Sequence, residues 1–137
     1  MPSQLVRSAD GVKGYEYGPT LFDDPEIRHS GVLVEGHHLR IWFTRAGDAP
    51  ERILETRVDL RDDWTTWTPT DPVEVLRPVE PWEGADRPVE PTVRGPAFRP
   101  QNGLRDPFVF DDGEERWLFY AAAGEFALGV TRLPDPA

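Results

Sequence analysis

Apolar residues along this chain alternate with polar ones in short runs, and turn residues separate the runs. The clearest case is residues 104–110, followed by the acidic turn 111–113 and the run 116–120. Two β-rich runs that flank a turn closed by glycine predict a β-hairpin. An Arg-Asp-Pro triplet stands at the hairpin entrance, where strands seldom have such residues. Because proline stiffens the chain and donates no backbone hydrogen bond, we expect Asp106 to be held at the mouth of a sheet beside Arg105.

The same outline occurs earlier in the chain, which indicates an internal repeat. The equivalent pairs, at identical spacing, are Arg28 and Arg105, Gly36 and Gly113, Gly47 and Gly124, and Asp48 and Glu125. Each copy continues into another strand-like run, at residues 53–60 in the first and 127–133 in the second. A repeated hairpin-plus-strand unit is typical of β-repeat architectures, and four-stranded propeller blades are their commonest form.

The remaining segments predict short strands and one long connection. Further strands are expected at residues 5–8, 15–17 and 72–76. Residues 48–51 also fit a helix start, with an acidic cap followed by proline. The period-two alternation that follows them favours a strand instead. Residues 78–103 contain six prolines and no alternation, which predicts a long structured loop of the kind that often carries function.

Composition supports one all-β domain. The chain has 137 residues, 38% of them hydrophobic, with fifteen prolines and twelve glycines and no window of sustained helical periodicity. It has no cysteine, so disulfides are excluded. The N-terminus lacks the apolar core of a signal peptide, which favours a cytoplasmic location over secretion. The formal net charge of −10 disfavours nucleic-acid and anionic-membrane partners, and it is compatible with neutral ligands such as sugars.

Residues 104–120 resemble a blade of the five-bladed β-propeller glycoside hydrolases, in particular family 43 and the related family 32. The resemblance implies antiparallel propeller blades, with residues 1–27 as the tail of a preceding blade, 28–77 as a first blade, 78–103 as a connector and 104–137 as a second blade. At about 40–50 residues per blade, the chain holds roughly two blades of such a ring. The resemblance therefore predicts a C-terminal portion of a propeller, inactive by itself and prone to self-association through exposed blade edges.

The resemblance also implies a set of site residues. In the family an aspartate in this Arg-Asp-Pro context assists catalysis, so Asp106 is the first catalytic candidate, and Glu90 is the candidate general acid. The residues expected to bind substrate are Arg28, His29, Arg94 and Arg105. No cofactor is expected other than a calcium ion that the family would place near His29. Each residue also has a structural interpretation: hydrogen bonding at a strand entry for Asp106 and His29, solvent exposure in a loop for Glu90, and ion pairing for the arginines.

Two functions follow from these residues. The first is hydrolysis of O-glycosidic bonds in plant-type or microbial oligosaccharides through the paired carboxylates Asp106 and Glu90, which requires the two groups to flank the scissile bond. The alternative is a non-catalytic carbohydrate-binding or assembly module. Both functions predict carbohydrate as the partner.

Overall fold

A computed structural model describes residues 3–133, and this part of the chain is all-β. The strands are β1 (Gln4–Arg7), β2 (Glu16–Thr20), β3 (Ile27–Glu35), β4 (His38–Arg45), β5 (Ile53–Asp59), β6 (Val73–Leu76), β7 (Arg105–Asp111), β8 (Arg116–Ala122) and β9 (Ala127–Arg132). Two short 3-10 helices, Trp64–Thr66 and Pro81–Glu83, are the helical elements of the described range. In that range no helix has the length and apolar character needed to cross a membrane. The predicted all-β class is confirmed.

Both hairpins form where the alternating pattern places them. β3 pairs with β4 and β7 pairs with β8, each antiparallel. The turns use Gly36 and Gly113, whose φ angles of 56° and 91° lie in the left-handed region that glycine adopts without a steric penalty. The alternative helix start at residues 48–51 does not form, because Glu51 instead makes a parallel bridge with Gly103 and leads into β5.

The nine strands form three antiparallel sheets. The first sheet is β1-β2, the second is β3-β4-β5-β6 and the third is β7-β8-β9. The second and third sheets are the two copies of the sequence repeat, and each is a meander of strands adjacent in the chain. The repeat therefore corresponds to a repeated structural unit.

The sheets bury two apolar clusters. One lies between the second and third sheets and is formed by Trp42, Ile53, Leu104, Leu118, Tyr120, Ala122 and Leu133. The other covers the opposite face of the second sheet and is formed by Leu21, Ile27, Ile41, Phe43, Leu54 and Val58, with Leu5 and Phe22 from the N-terminal segment packed against it. The second sheet thus buries apolar residues on both faces, although Val32 and Val34 of β3 stay more than half exposed, whereas both clusters bury residues on a single face of the third sheet at most.

The predicted partial five-bladed propeller of glycoside hydrolase family 43 or 32 is wrong. The described residues form three small antiparallel sheets with no closed or propeller-like arrangement. The sequence pattern was compatible with a propeller because any fold that repeats an antiparallel meander shows the same hairpin-plus-strand outline. A ring additionally needs several equivalent sheets around an axis, and the short first sheet is not a copy of the repeat. The ends of the two predicted outer segments, residues 1–2 and 134–137, lie outside the described residues.

Candidate functional site

Two β-bulges at equivalent positions of the repeat organise the site. The β3–β4 pairing shifts register between residues 27 and 30, and the β7–β8 pairing shifts between residues 105 and 108. A bulge leaves a residue outside the regular ladder and re-aims its side chain. Gly31 lets the two strands come close at this point, since a Cβ there would lie 2.8 Å from the carbonyl oxygen of Pro107. The bulged segments of the two copies therefore face each other.

The outward-facing residues of the bulges form a histidine–carboxylate pair. His29 Nδ1 lies 2.8 Å from Asp106 Oδ1, across 77 residues of sequence. The contact joins equivalent positions of the two copies. Asp106 has a φ of 50°, a left-handed conformation that aspartate adopts at a cost and that often marks a functional position. The His29 side chain is 87% exposed, so its Nε2 is open to solvent while Asp106 orients the ring.

The inward-facing residues of the same bulges form a buried ionic cluster around Glu51. Glu51 is fully buried, and its carboxylate accepts a hydrogen bond from the Thr44 hydroxyl at 2.8 Å and from Arg105 Nε at 3.0 Å. Arg28 Nε lies 2.7 Å from Glu51 Oε1, an ion-pair contact without hydrogen-bond alignment. Arg105 also donates to Glu125 at 3.0 Å. One carboxylate thus fixes an arginine from each copy and holds the two bulges together.

An open cleft of about 410 Å³ lies over this cluster. Its lining residues are Ile27, Arg28, His29, Arg94, Gly95, Pro96, Asp106 and Glu125. The Arg94 side chain lines the cleft and donates hydrogen bonds to the backbone carbonyls of Pro25 and Ile27. Four of the six predicted site residues therefore line one cleft. Arg105 is buried with Glu51 and does not line this cleft.

Glu90 does not line this cleft. It lines a separate hollow of about 230 Å³ within residues 87–102, and Arg99 is its charged neighbour at 3.9 Å. The predicted catalytic carboxylates Asp106 and Glu90 are thus found in different clefts. The carboxylate that does share a cleft with Asp106 is Glu125, which the sequence reasoning had matched to Asp48 in the repeat without assigning it a role.

A calcium ion at His29 is not supported by the donor set. Calcium takes about six to eight oxygen ligands, and an imidazole supplies nitrogen. Within residues 3–133 no group of three or more histidine and acidic side chains is arranged to hold a metal ion. We therefore derive no chemistry from a metal at this site.

A second buried ionic group lies within the second sheet, away from the cleft. Arg40 donates to both carboxylate oxygens of Glu55, at 2.8 and 2.9 Å, and also pairs with Glu35. Burial alone would raise the pKa of Glu55, but hydrogen bonds and charges from Arg40 and Arg57 outweigh it, so the pKa lies below its ordinary value. Because these groups are engaged with one another, and Glu35 also pairs with Arg116 of β8 in the third sheet, we assign them a structural role.

Comparison with known proteins identifies a relative of this chain, but it does not indicate an activity. No protein-family model matches the chain, and no solved structure matches it. A curated protein of Acanthamoeba polyphaga mimivirus, titled Uncharacterized protein R118, is 41% identical over 146 aligned positions that cover 96% of this chain. The chain spans about 41% of the length of that viral protein. These findings give no support to the glycoside hydrolase resemblance, which the sheet arrangement also contradicts.

Proposed function

We propose that the chain is a non-catalytic module that binds a hydroxyl-rich ligand of the carbohydrate class in the cleft between the two bulges. The observation that carries this proposal is the exposed His29–Asp106 pair, fixed at 2.8 Å by strands that Glu51 ties together. A sugar hydroxyl donates one hydrogen bond and accepts others. The Asp106 carboxylate offers acceptors and Arg94 offers donors on the same cleft, which matches both capacities.

Binding fits the geometry better than hydrolysis through paired carboxylates. That reaction needs two carboxyl groups on opposite sides of the scissile bond, one of which transfers a proton to the leaving group. Glu90 lines another cleft. Glu125 shares the cleft, but Arg105 holds it at 3.0 Å, as His29 holds Asp106. Each carboxylate of the cleft thus already has a fixed partner, which suits a rigid binding surface.

The test is a binding screen with the substitution Asp106→Asn. Asparagine tolerates the left-handed backbone at this position, so the variant removes the negative charge without adding strain. We expect wild-type protein to bind members of a panel of neutral mono- and oligosaccharides in saturation-transfer NMR and calorimetry, and Asp106→Asn to weaken binding more than tenfold. Asp111→Asn, an exposed aspartate on the same strand, is the matched control and should bind as wild type. A panel without any ligand, or equal binding by both variants, would refute the proposal.

One observation favours a second candidate, hydrolysis within the same cleft. Asp106 and Glu125 are two carboxylates, and His29 is a third proton-transfer group, on one lining surface. Assays on a broad panel of aryl glycosides separate the two candidates. Turnover that Asp106→Asn and Glu125→Gln abolish would replace the binding function with catalysis. Glycan binding without turnover would leave the binding function in place.

A further inference from the structure

The hollow that Glu90 lines contains two buried polar groups without a hydrogen-bond partner. Thr92 and Asn102 both line it, and each residue is only 6% exposed. Within residues 3–133 neither the Thr92 hydroxyl nor Asn102 Oδ1 has a hydrogen-bond partner. The Asn102 amide nitrogen donates to the backbone carbonyl of Arg87 at 3.0 Å, which leaves Oδ1 as the unpaired end of that side chain. Burying an unpaired polar group costs free energy, so two of them on one hollow indicate a ligand site.

The backbone that carries these groups is anchored to both copies of the repeat. Thr92 exchanges two backbone hydrogen bonds with residues 47–48, at 2.8 and 3.2 Å, in the loop after β4. The Gln101 N–H donates to the carbonyl of Ala123 at 3.2 Å, in the equivalent loop after β8. The remaining wall includes three prolines, which restrict the backbone: Pro88, Pro91 and Pro100. The hollow is therefore preformed, and a ligand does not have to order it on binding.

The rim of the hollow carries charged side chains that are only loosely paired. Arg99 lies 3.9 Å from Glu90, and Arg87 lies 3.5 Å from Asp86, which does not line the hollow. All four side chains are more than half exposed, and exposed pairs of this kind contribute little free energy. The lining thus has two guanidinium groups and one carboxylate, a local positive balance in a chain of net charge −10. This balance favours an anionic group of a ligand at the rim.

We propose that the hollow binds a small hydroxy- or amino-carboxylic acid. The carboxylate of the ligand pairs with the guanidinium groups of Arg87 and Arg99. Its hydroxyl or ammonium group donates to Asn102 Oδ1 and hydrogen-bonds with the Thr92 hydroxyl, which supplies the partners that both groups lack. The volume of about 230 Å³ corresponds to about eight water molecules at about 30 Å³ each, so the ligand has a similar number of non-hydrogen atoms.

Calorimetry and NMR titration with matched probes test the two requirements of this site. L-malate and L-aspartate carry both a carboxylate and a hydrogen-bond donor, whereas succinate lacks the donor and glycerol lacks the carboxylate. We expect malate or aspartate to bind at least tenfold more tightly than succinate and glycerol, because a site built to pair polar groups rejects a ligand that leaves them unpaired. The proposal is overturned if neither malate nor aspartate binds at about 10 mM, or if succinate binds as tightly as malate.

The substitution Thr92→Val tests the buried hydroxyl, because valine has a similar shape and replaces that hydroxyl with a methyl group. Thr56→Val is the matched control, since the buried Thr56 hydroxyl already donates to the carbonyl of Thr70. We expect Thr92→Val to weaken malate binding more than tenfold without lowering the melting temperature of the free protein. Thr56→Val should lower the melting temperature and leave malate binding unchanged. If Thr92→Val lowers the melting temperature as much as Thr56→Val does, the Thr92 hydroxyl already has a partner in the free protein and the proposal is overturned.

Two further variants distinguish the hollow from the cleft. Arg99→Gln removes a cation of the rim and should weaken malate binding severalfold, whereas Arg132→Gln, which changes an exposed arginine of β9, should bind malate as wild type does. Asp106→Asn alters the cleft and should also bind malate as wild type does. Binding that both Thr92→Val and Arg99→Gln leave intact overturns the proposal, as does binding that Asp106→Asn weakens as much as Thr92→Val. The hollow and the cleft share no lining residue, so the carbohydrate screen of the cleft is a separate test.

Discussion

Neutralising Glu51 is the most informative perturbation of this molecule. Glu51→Gln keeps the shape of the side chain and one acceptor oxygen, which can still accept from Arg105 Nε, while the amide NH2 can donate to the Thr44 hydroxyl. It removes the one charge that lies against both Arg28 and Arg105. Breaking a buried ion pair by removing one partner costs about 3–5 kcal/mol, because the remaining charge stays buried without compensation. In the variant, Arg105 retains its ion pair with Glu125, whereas the contacts that Arg28 retains are hydrogen bonds to backbone carbonyls. We therefore expect the free energy of unfolding to fall by about 3–4 kcal/mol.

Urea and thermal unfolding measure this loss. Small domains are stable by about 5–15 kcal/mol, so the variant should remain folded with a melting temperature roughly 10–15 °C lower. Glu16→Gln is the control, because Glu16 forms an exposed pair with Arg7 that should contribute less than about 1 kcal/mol. Combining Glu51→Gln with Arg105→Gln should cost less than the sum of the two single losses, since each residue compensates the other. If Glu51→Gln lowers the free energy of unfolding no more than Glu16→Gln does, the role assigned to the cluster is refuted.

Three further outcomes follow from the geometry. Asp106→Gly should be more stable than Asp106→Ala by about 1 kcal/mol, because alanine is strained at a φ of 50°, and the reverse order of urea midpoints would contradict this. The pKa of Glu55 is lowered in the folded chain below its ordinary 4.5, so its stabilising effect is complete above that pH and is lost as the pH falls through the folded pKa. The difference in unfolding free energy between wild type and Glu55→Gln should therefore shrink from pH 6 to pH 3, and a constant difference would argue against the pairing with Arg40. Gly31→Ala should destabilise the chain by about 1–3 kcal/mol, because the added Cβ meets the backbone of Pro107, and an unchanged melting temperature would show that the strands separate freely.

Local structure was predictable from this sequence because alternation and turn chemistry are local signals. The sequence predicted a strand at residues 53–60, and β5 spans Ile53–Asp59. It also predicted the two copies of the repeat and placed His29 and Asp106 at their strand entries. It did not predict that these two residues contact each other, since a contact across 77 residues depends on how the sheets dock.

The role of Glu51 and the arrangement of the sheets were missed for the same reason. The arginines of the repeat, Arg28 and Arg105, were expected to bind substrate, but both are engaged with Glu51. One signal was available in the repeat itself: Glu51 is equivalent to Leu128, so a charged residue stands where the other copy is apolar. The assignment to a propeller failed because a repeated meander fixes the sheet and leaves the packing of one sheet on the next undetermined.

The two bulges that form the cleft lie far apart in the sequence, and this separation also affects how the molecule folds. Each meander pairs strands that are neighbours in the chain, whereas the Glu51–Arg105 hydrogen bond closes a loop of 54 residues. Loop closure of this kind is entropically unfavourable until the contacts it allows are formed, so we expect the meanders to form before the cleft. A ligand that needs both bulges would then recognise only fully docked molecules. At one hundred times its dissociation constant it would add about 2.7 kcal/mol to the stability of the whole chain, and its effect on the folding rate would be small.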